Sequence, residues 1–462
     1  MRTAAFHTLG CKVNAYETEA MEQILIENGY KIVPFEEQAD VYIINTCSVT
    51  NIADRKSRQM IHRARKTNPH AVVAAAGCYV QAVSEEVLVE TGVDVIIGNN
   101  HKKEIAELLE AYFTGREQSA VSDMTHMHEY ETLAVSQTGE HTRAYLKVQD
   151  GCNQFCSYCI IPYVRGRIRS RSLEDVVEEC KRLGQAGIQE VVLTGIHLSS
   201  YGKDWTEADS QSGGPNGELV TLLTLIQAIH QVEAIERIRI GSLEPRIVTE
   251  EFAGALAQLP KVCPHFHLSL QSGCDSVLKR MNRHYTTQDY RQGCAILRKY
   301  FHNPAITTDV IVGFPGETEE EFQTSLAFAE EIHFYEMHVF KYSRRKGTVA
   351  DRMEQQISEA VKGVRSHQMM ALAARMSQEY RQSLIGSSQT VLLEEEMSLN
   401  GITYMIGYTK EYVRVAVQTE AASNTMVSGR AAGMLTEEIL LLTEDRIDRN
   451  DGTGVKNERK IE

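Results

Sequence analysis

The sequence contains no apolar run near the ~18 residues that a membrane-spanning helix needs. It does not open with the basic-then-apolar pattern of a secretory leader, and we expect a protein that is not secreted. A net basic charge is also missing: 62 acidic residues against 48 basic ones leave a formal charge of −14. That disfavours an all-over coat for nucleic acid but leaves local basic patches open. What is present is the balance of a soluble globular chain. It is 42% hydrophobic and 24% charged over 462 residues, enough for about three domains. Ten cysteines without a leader point to ligation or redox chemistry rather than to a disulfide framework.

Strand-like stretches at Ala4–Leu9, Val41–Thr46, Ala71–Ala76 and Val93–Ile97 alternate with helical patterns. The spacing predicts an α/β N-terminal domain over residues 1–114 with a doubly wound parallel sheet. Residues 115–142 are polar and aperiodic and read as a linker. Over residues 143–370 six candidate strands recur, at Tyr145–Gln149, Glu190–Thr194, Arg237–Gly241, His265–Leu270, Thr308–Val312 and Met337–Tyr342. With crossover helices between most of them they predict a partial (β/α) barrel, with Glu207–Glu218 as an exposed loop. Short turn-separated strands over 371–442 predict a small antiparallel β-barrel. Residues 443–462 are expected to be a disordered tail.

The strongest local signal is Cys152-Asn-Gln-Phe-Cys156-Ser-Tyr-Cys159, directly after a predicted strand and a glycine. Three thiolates this close can wrap one four-iron cluster and leave one iron without a protein ligand. An open iron serves no purely structural purpose but can bind a substrate or cofactor. A zinc site usually brings a fourth ligand nearby, commonly as paired CxxC knuckles, and no such pair is present.

Cys11, Cys47 and Cys78 each fall just past a predicted strand, about one strand–helix–strand unit apart. Parallel strands present their C-terminal ends on one edge, where α/β proteins place ligands. Any one of these cysteines could be a buried thiol. Three on one edge predict a second metal site, again with three thiolates and one open position.

The CxxxCxxC stretch, with Tyr158 before its last cysteine, resembles the radical S-adenosylmethionine superfamily. Two such trios in this order resemble the methylthiotransferase family within it. The similarity rests on Thr8-Leu-Gly-Cys-Lys-Val-Asn14, Asn45-Thr-Cys-Ser-Val-Thr50, Ala76-Gly-Cys-Tyr79 and the stretch Gln149–Tyr163. It continues through Arg165–Arg171, Leu193-Thr-Gly-Ile196, Leu268-Ser-Leu-Gln-Ser-Gly273 and Gly313-Phe-Pro-Gly-Glu317. Gly407–Val415 is similar to the family's C-terminal RNA-binding β-barrel, the TRAM domain.

The resemblance implies two [4Fe-4S] clusters and S-adenosylmethionine as radical source and methyl donor. It gives the radical cluster to Cys152, Cys156 and Cys159, and an auxiliary, sulfur-presenting cluster to Cys11, Cys47 and Cys78. Thr8–Asn14 and Lys341–Thr348 are similar to the branch acting on N6-threonylcarbamoyladenosine. The isopentenyladenosine branch more typically reads TYGCQMN, and the branch acting on a ribosomal-protein aspartate SLGCPKN. The implied activity is methylthiolation at C2 of that adenosine at position 37 of tRNA. The implied partners are the anticodon loop of ANN-decoding tRNA and an electron donor such as flavodoxin or ferredoxin, in the cytoplasm. A non-enzymatic iron–sulfur RNA-binding protein is the alternative of another class.

Tyr158, Gly195, His197, Ser242, Glu244, Gln271 and Asp309 are candidates to bind S-adenosylmethionine. The last six lie near predicted strand ends, where turn, cap and core roles are equally open. Arg55, Arg58, His62 and Arg65 share one face of a predicted helix, for which simple solvation competes with phosphate contact. The alternating Arg165, Arg167, Arg169 and Arg171 suit RNA phosphate, cofactor or structural carboxylates alike. The C-terminal module is more acidic than basic, so stacking from Tyr404, Tyr408 or Tyr412, with Lys410 and Arg414, is expected to matter more there than charge. Cys180, Cys263, Cys274 and Cys294 fit neither trio and read as inert buried thiols.

Overall fold

The computed structural model describes residues 1–116, 119–135, 142–205 and 220–444. The predicted loop Glu207–Glu218 and nearly all of the predicted tail lie outside the described residues.

The first sheet has six strands in the order β2-β1-β3-β4-β5-β6. In chain order these are β1 (Thr3–Thr8), β2 (Lys31–Ile32), β3 (Val41–Thr46), β4 (Val72–Gly77), β5 (Val95–Ile97) and β6 (Ser119–Ala120). Every pairing is parallel. Every residue of β3 and β4 is buried, as an apolar run covered by helices on both faces requires. One covering helix is α1 (Lys12–Glu27) and another is α2 (Asn51–Thr67), whose N-cap Thr50 accepts a hydrogen bond from the Ala53 amide. The expected linker differs from this. Its Ser119–Ala120 adds the edge strand, and its Leu133 and Val135 are buried in the core of the next layer. Two-residue strands such as β2 and β6 carry too little periodicity to be read from sequence.

The six expected barrel strands are all present: β7 (Arg143–Asp150), β9 (Glu190–Gly195), β10 (Arg237–Ile240), β11 (His265–His267), β12 (Ala305–Val312) and β13 (Glu336–Lys341). They run parallel as β7-β9-β10 and β11-β12-β13, with a parallel bridge from Leu243 to Leu268 between the two groups. β8 (Arg169–Ser170) pairs antiparallel with β7 at one edge. The sheet is therefore a partial barrel, and one face of its strands forms one large apolar core with the helices outside it.

The N-terminal sheet and the partial barrel belong to one compact unit, Met1–Tyr380 with Lys410–Tyr412; the second unit begins at Arg381 rather than at 371. The second unit is a closed barrel of β14 (Ser388–Leu399), β15 (Ile402–Tyr408), β16 (Arg414–Val417), β18 (Leu440–Glu444) and β17 (Met426–Met434), in that order. All its pairs are antiparallel except β16 with β18, which is parallel. Tyr404 packs inside it with Ile406, Ala416 and Ile439. That burial corrects the expectation that Tyr404 stacks on a base. Among the described residues no helix is long and apolar enough to cross a membrane.

α1 joins the first sheet to the barrel. Its Tyr16 and Ala20 enter the barrel core, and its fully buried Glu17 meets Lys102 (3.3 Å), Lys147 (2.7 Å) and Arg165 (2.9 Å). Asp150 at the end of β7 completes the group, 2.7 Å from Lys147 and 3.1 Å from Arg165, with Arg169 at 3.8 Å. Burial pushes the Glu17 carboxyl up, but Arg165, Lys102 and Lys147 outweigh it and hold it well below the usual carboxylate range. Glu17→Ala leaves Lys102 buried with no carboxylate and Lys147 and Arg165 sharing Asp150 alone, and is expected to cost about 3–5 kcal/mol in chemical denaturation. A depressed folded-state pKa stabilises above the unfolded value of about 4.3, and that stability is lost as pH falls toward the folded value. Glu17→Gln is therefore expected to flatten the acid limb of a stability–pH curve measured between neutrality and pH 3.

Candidate active site

β1, β3 and β4 are neighbours in the first sheet, so their C-terminal ends lie side by side. Cys11 follows β1 as the N-cap of α1, Cys47 follows β3, and Cys78 opens the short helix Cys78–Ala82 after β4. Gly10 has φ +105°, and a Cβ there would lie 2.9 Å from the Cys47 Sγ. Only glycine lets the Cys11 loop pass so close. Asn14 Nδ2 donates to the carbonyls of Leu9 (2.7 Å) and Thr46 (2.9 Å), joining the loops that carry Cys11 and Cys47. Its Oδ1 accepts from Arg165 (2.7 Å), whose Nε donates to the Cys78 Sγ at 3.3 Å. Burial, then the neighbouring Cys78, pushes the Cys47 thiol up to about 12.

The second trio sits on the loop after β7. Gly151 (φ +69°) makes the turn, because a Cβ there would fall 1.8 Å from the Arg167 carbonyl oxygen. The Cys152 amide donates to the Gly166 carbonyl and the Cys159 amide to that of Cys156, both at 3.0 Å. The barrel holds the loop from the other side: Ser157 N–H donates to the Met281 carbonyl (3.0 Å), and Asn282 Nδ2 to that of Phe155 (3.0 Å). Arg283 donates to the Cys156 Sγ at 3.1 Å. Burial pushes the Cys152 thiol up to about 11. Each trio thus pairs thiols in a desolvated setting with one guanidinium on a sulfur, an arrangement that favours thiolate over thiol once a metal binds.

The spacing of the sulfurs bears on which metal group fits. Among the described residues only His267, Asp309 and His338 offer three donor atoms all within 4.8 Å of one another; neither cysteine trio is that tight. A single tetrahedral zinc ion wants sulfurs about 3.8 Å apart. The looser spacing suits a multi-iron cluster.

Cys11 of the first trio and the whole of the second trio line adjoining cavities. A cleft of about 740 Å³ is walled by Cys11 and Lys12 from the first sheet and by Ile161, Gly195, Ser242 and Asp309 from the barrel. A cavity of about 200 Å³ shares Ile161, Ile196 and Ser242 with that cleft and is lined by Cys152, Cys156 and Cys159. A third, of about 220 Å³, lies between Tyr158, Cys159 and Gln271 and the exposed Val49 and Phe340.

All seven remaining candidates line these cavities. Tyr158, His197, Ser242, Glu244 and Gln271 border the space beside the second trio, while Gly195 and Asp309 border the larger cleft. The His197 amide donates to Gln149 Oε1 (2.7 Å), and its Nε2 lies 3.4 Å from Glu244 Oε2. Burial pushes the Glu244 carboxyl up, yet His197 and Arg246 overcome it and hold it at about 2. Gln271 takes φ +66°, donates its amide to the Asp309 carbonyl and accepts from the Ile311 amide. Tyr158 packs edge-on against Phe314.

The arginine series divides. Arg165, Arg169 and Arg171 are buried, and Arg171 pairs with Glu179, so all three are structural. Only Arg167 is exposed, 4.5 Å above the half-buried ring of Phe155. On α2, Arg65 is bound to Asp94 and to the Gly92 and Ala71 carbonyls, leaving Arg55, Arg58 and His62 on the exposed face. Asn14, Glu17, Arg283 and Arg345 were missed. Arg345 reaches from the segment after β13 to Ser48 Oγ (2.7 Å) and Asp54 (2.6 Å), bracing the Cys47 loop. Nothing in the local sequence sets it apart from the neighbouring Arg344.

Comparison with known proteins agrees with this geometry. The radical SAM superfamily matches residues 146–329, and the uncharacterized protein family UPF0004 matches residues 3–98. The threonylcarbamoyladenosine tRNA methylthiotransferase MtaB of Bacillus subtilis (strain 168) is 42% identical over 90% of both chains. The tRNA-2-methylthio-N(6)-dimethylallyladenosine synthase of Akkermansia muciniphila is 33% identical over 85% of this chain and 88% of its own. Among solved structures, the radical S-adenosylmethionine methyltransferase TsrM of Kitasatospora setae shares the fold at a TM-score of 0.55. It is 15% identical and covers 76% of this chain and 77% of its own. With relatives of this similarity over nearly its whole length, the chain belongs to the radical SAM methylthiotransferase family.

Proposed function

We propose that this protein adds a methylthio group to C2 of N6-threonylcarbamoyladenosine at position 37 of tRNA. The observation that carries the reading is that Cys11 of the first trio and all three cysteines of the second, distant in sequence, line adjoining cavities. The choice of nucleoside follows the Bacillus relative, whose name states that substrate. Relatives named for N6-dimethylallyladenosine support a second reading, with that modified adenosine at position 37 as the substrate instead.

In this reading Cys152, Cys156 and Cys159 hold the radical [4Fe-4S] cluster, and Cys11, Cys47 and Cys78 hold the auxiliary one. When bound, these clusters and S-adenosylmethionine supply the carbon radical, the sulfur and the methyl group. The protein's own residues bind and orient. Arg283 and Arg165 each place a positive charge on one thiolate. Glu244, kept ionised, accepts hydrogen bonds from the cofactor. Gly195 allows close approach of the backbone, since a Cβ there would meet Gln149 and Leu198 at 3.0 Å. Tyr158, His197, Ser242, Gln271 and Asp309 complete the walls and exclude water from the reacting carbon. The anticodon loop of ANN-decoding tRNA enters the larger cleft with adenosine 37 splayed from its stack. Exposed Arg55, Arg58 and Lys56 contact its phosphates. A flavodoxin or ferredoxin supplies electrons, and the setting is the cytoplasm.

Alanine replacement of Cys11, Cys47 or Cys78 is expected to remove roughly half the iron and sulfide while 5′-deoxyadenosine is still formed under reducing conditions. Replacement of Cys152, Cys156 or Cys159 is expected to abolish that product. Iron assay and chromatography of anaerobically reconstituted protein read both; unchanged iron in all three first-trio variants would sink the two-cluster reading. In a strain lacking the gene, mass spectrometry of tRNA nucleosides is expected to show unmethylthiolated N6-threonylcarbamoyladenosine accumulating. Loss of the dimethylallyl derivative instead would establish the second reading.

A further inference from the structure

The larger cleft is polar in a way the two cysteine trios do not explain. Lys12, the residue after Cys11, lines it and is solvent-accessible. Lys12 has no hydrogen bond or ion pair with any described residue. The other cations nearby are committed elsewhere: Arg239 donates to both oxygens of Glu190, and Arg143 lies 3.8 Å from the same carboxylate. Burial, and then the positive charges of Arg239 and Lys12, push the His265 pKa well below its ordinary value. Lys12 and His267 line the same cleft as the His265 ring. His267 is oriented by a 3.0 Å hydrogen bond from Nδ1 to Thr307 Oγ1, and its Nε2 lies 3.3 Å from Asp309 Oδ2. His338 stacks on the His267 ring with centroids 6.0 Å apart. Lys12, His265, His267, Thr307, Asp309 and His338 line the cleft.

We infer that Lys12 and the His267–Asp309 pair form a subsite for a carboxylate-bearing, hydroxylated substituent on the substrate base. The Lys12 ammonium takes the carboxylate, and the imidazole and carboxylate of the pair take hydroxyl and amide groups. This inference rests on the functional reading above, because an amino-acid substituent carries these groups and an alkyl substituent carries none. Physical asymmetry makes such a subsite selective. A cation covered by an apolar substituent loses water and gains no partner, whereas a pocket built for polar groups rejects the analogue lacking them strongly. A wholly apolar substituent would be better served by a wall without Lys12.

Binding tests this separately from turnover. The probes are anticodon stem-loop RNAs carrying N6-threonylcarbamoyladenosine, its carboxyl methyl ester, or N6-dimethylallyladenosine, each titrated into cluster-loaded protein and followed by fluorescence anisotropy. Wild type is expected to bind the free acid about 10- to 100-fold more tightly than the ester, as a charge-assisted hydrogen bond implies. Lys12→Met is expected to bring that ratio close to one, and Lys12→Arg to keep most of it. Iron content of each variant reports whether the adjacent Cys11 site is intact, and if Lys12→Met loses iron, Lys12→Gln takes its place in the comparison. A wild-type ratio near one, or a ratio that survives in the uncharged variant, would overturn the subsite. A preference of wild type for the dimethylallyl stem-loop over both others would instead overturn the functional reading.

Discussion

Four cationic side chains, Lys102, Lys147, Arg165 and Arg169, meet the carboxylates of Glu17 and Asp150 in the interior, and the two halves of the active site depend on that meeting. Glu17 comes from the helix that Cys11 caps, and Asp150 from the strand end just before Cys152. Arg165 touches both carboxylates, Asn14 and the Cys78 sulfur at once. Removing ions from water costs several kcal/mol each, so such a group persists only where geometry is tight and every partner is present. The cations outnumber the two carboxylates they contact. The Cys78 sulfur accepts a hydrogen bond from Arg165, which links the ionic group to the first cysteine trio.

This arrangement accounts for why the two trios cannot be understood apart. The first is set by the ends of three adjacent parallel strands, the second by one loop after a barrel strand. Neither framework alone fixes the distance between them. The ionic group, with Tyr16 and Ala20 of α1 in the barrel core, does so. Arg345 adds a brace from the far side of the barrel to the Cys47 loop. The larger cleft is consequently walled by both frameworks.

Legibility in the sequence followed the range of the physics involved. The long strands and the helices between them were readable because apolar periodicity is local. The second trio was readable because a single loop carries it, and the first because strand ends in a parallel sheet share one edge. Two-residue edge strands, the parallel β16–β18 pair and the burial of Tyr404 were not readable, since each is decided by partners far along the chain. The arginine series shows the same limit. Arg165, Arg169 and Arg171 look in sequence like a basic stripe, yet each is buried by acids from other elements, while Arg167 between them is not.

By itself the sequence set out two groups of three cysteines and the α/β frameworks that carry them. Residue type and short-range spacing suffice for that, because a thiolate's affinity for iron and a strand's pattern are local properties. Only the tertiary structure decided which charges are spent internally and which face the substrate. Lys12 and Arg165 are both basic residues beside a cluster cysteine motif. One is fully buried on two carboxylates and a sulfur, and the other projects unpaired into the cleft. That difference arises from where long-range packing puts Glu17 and Asp150, and no local rule contains it.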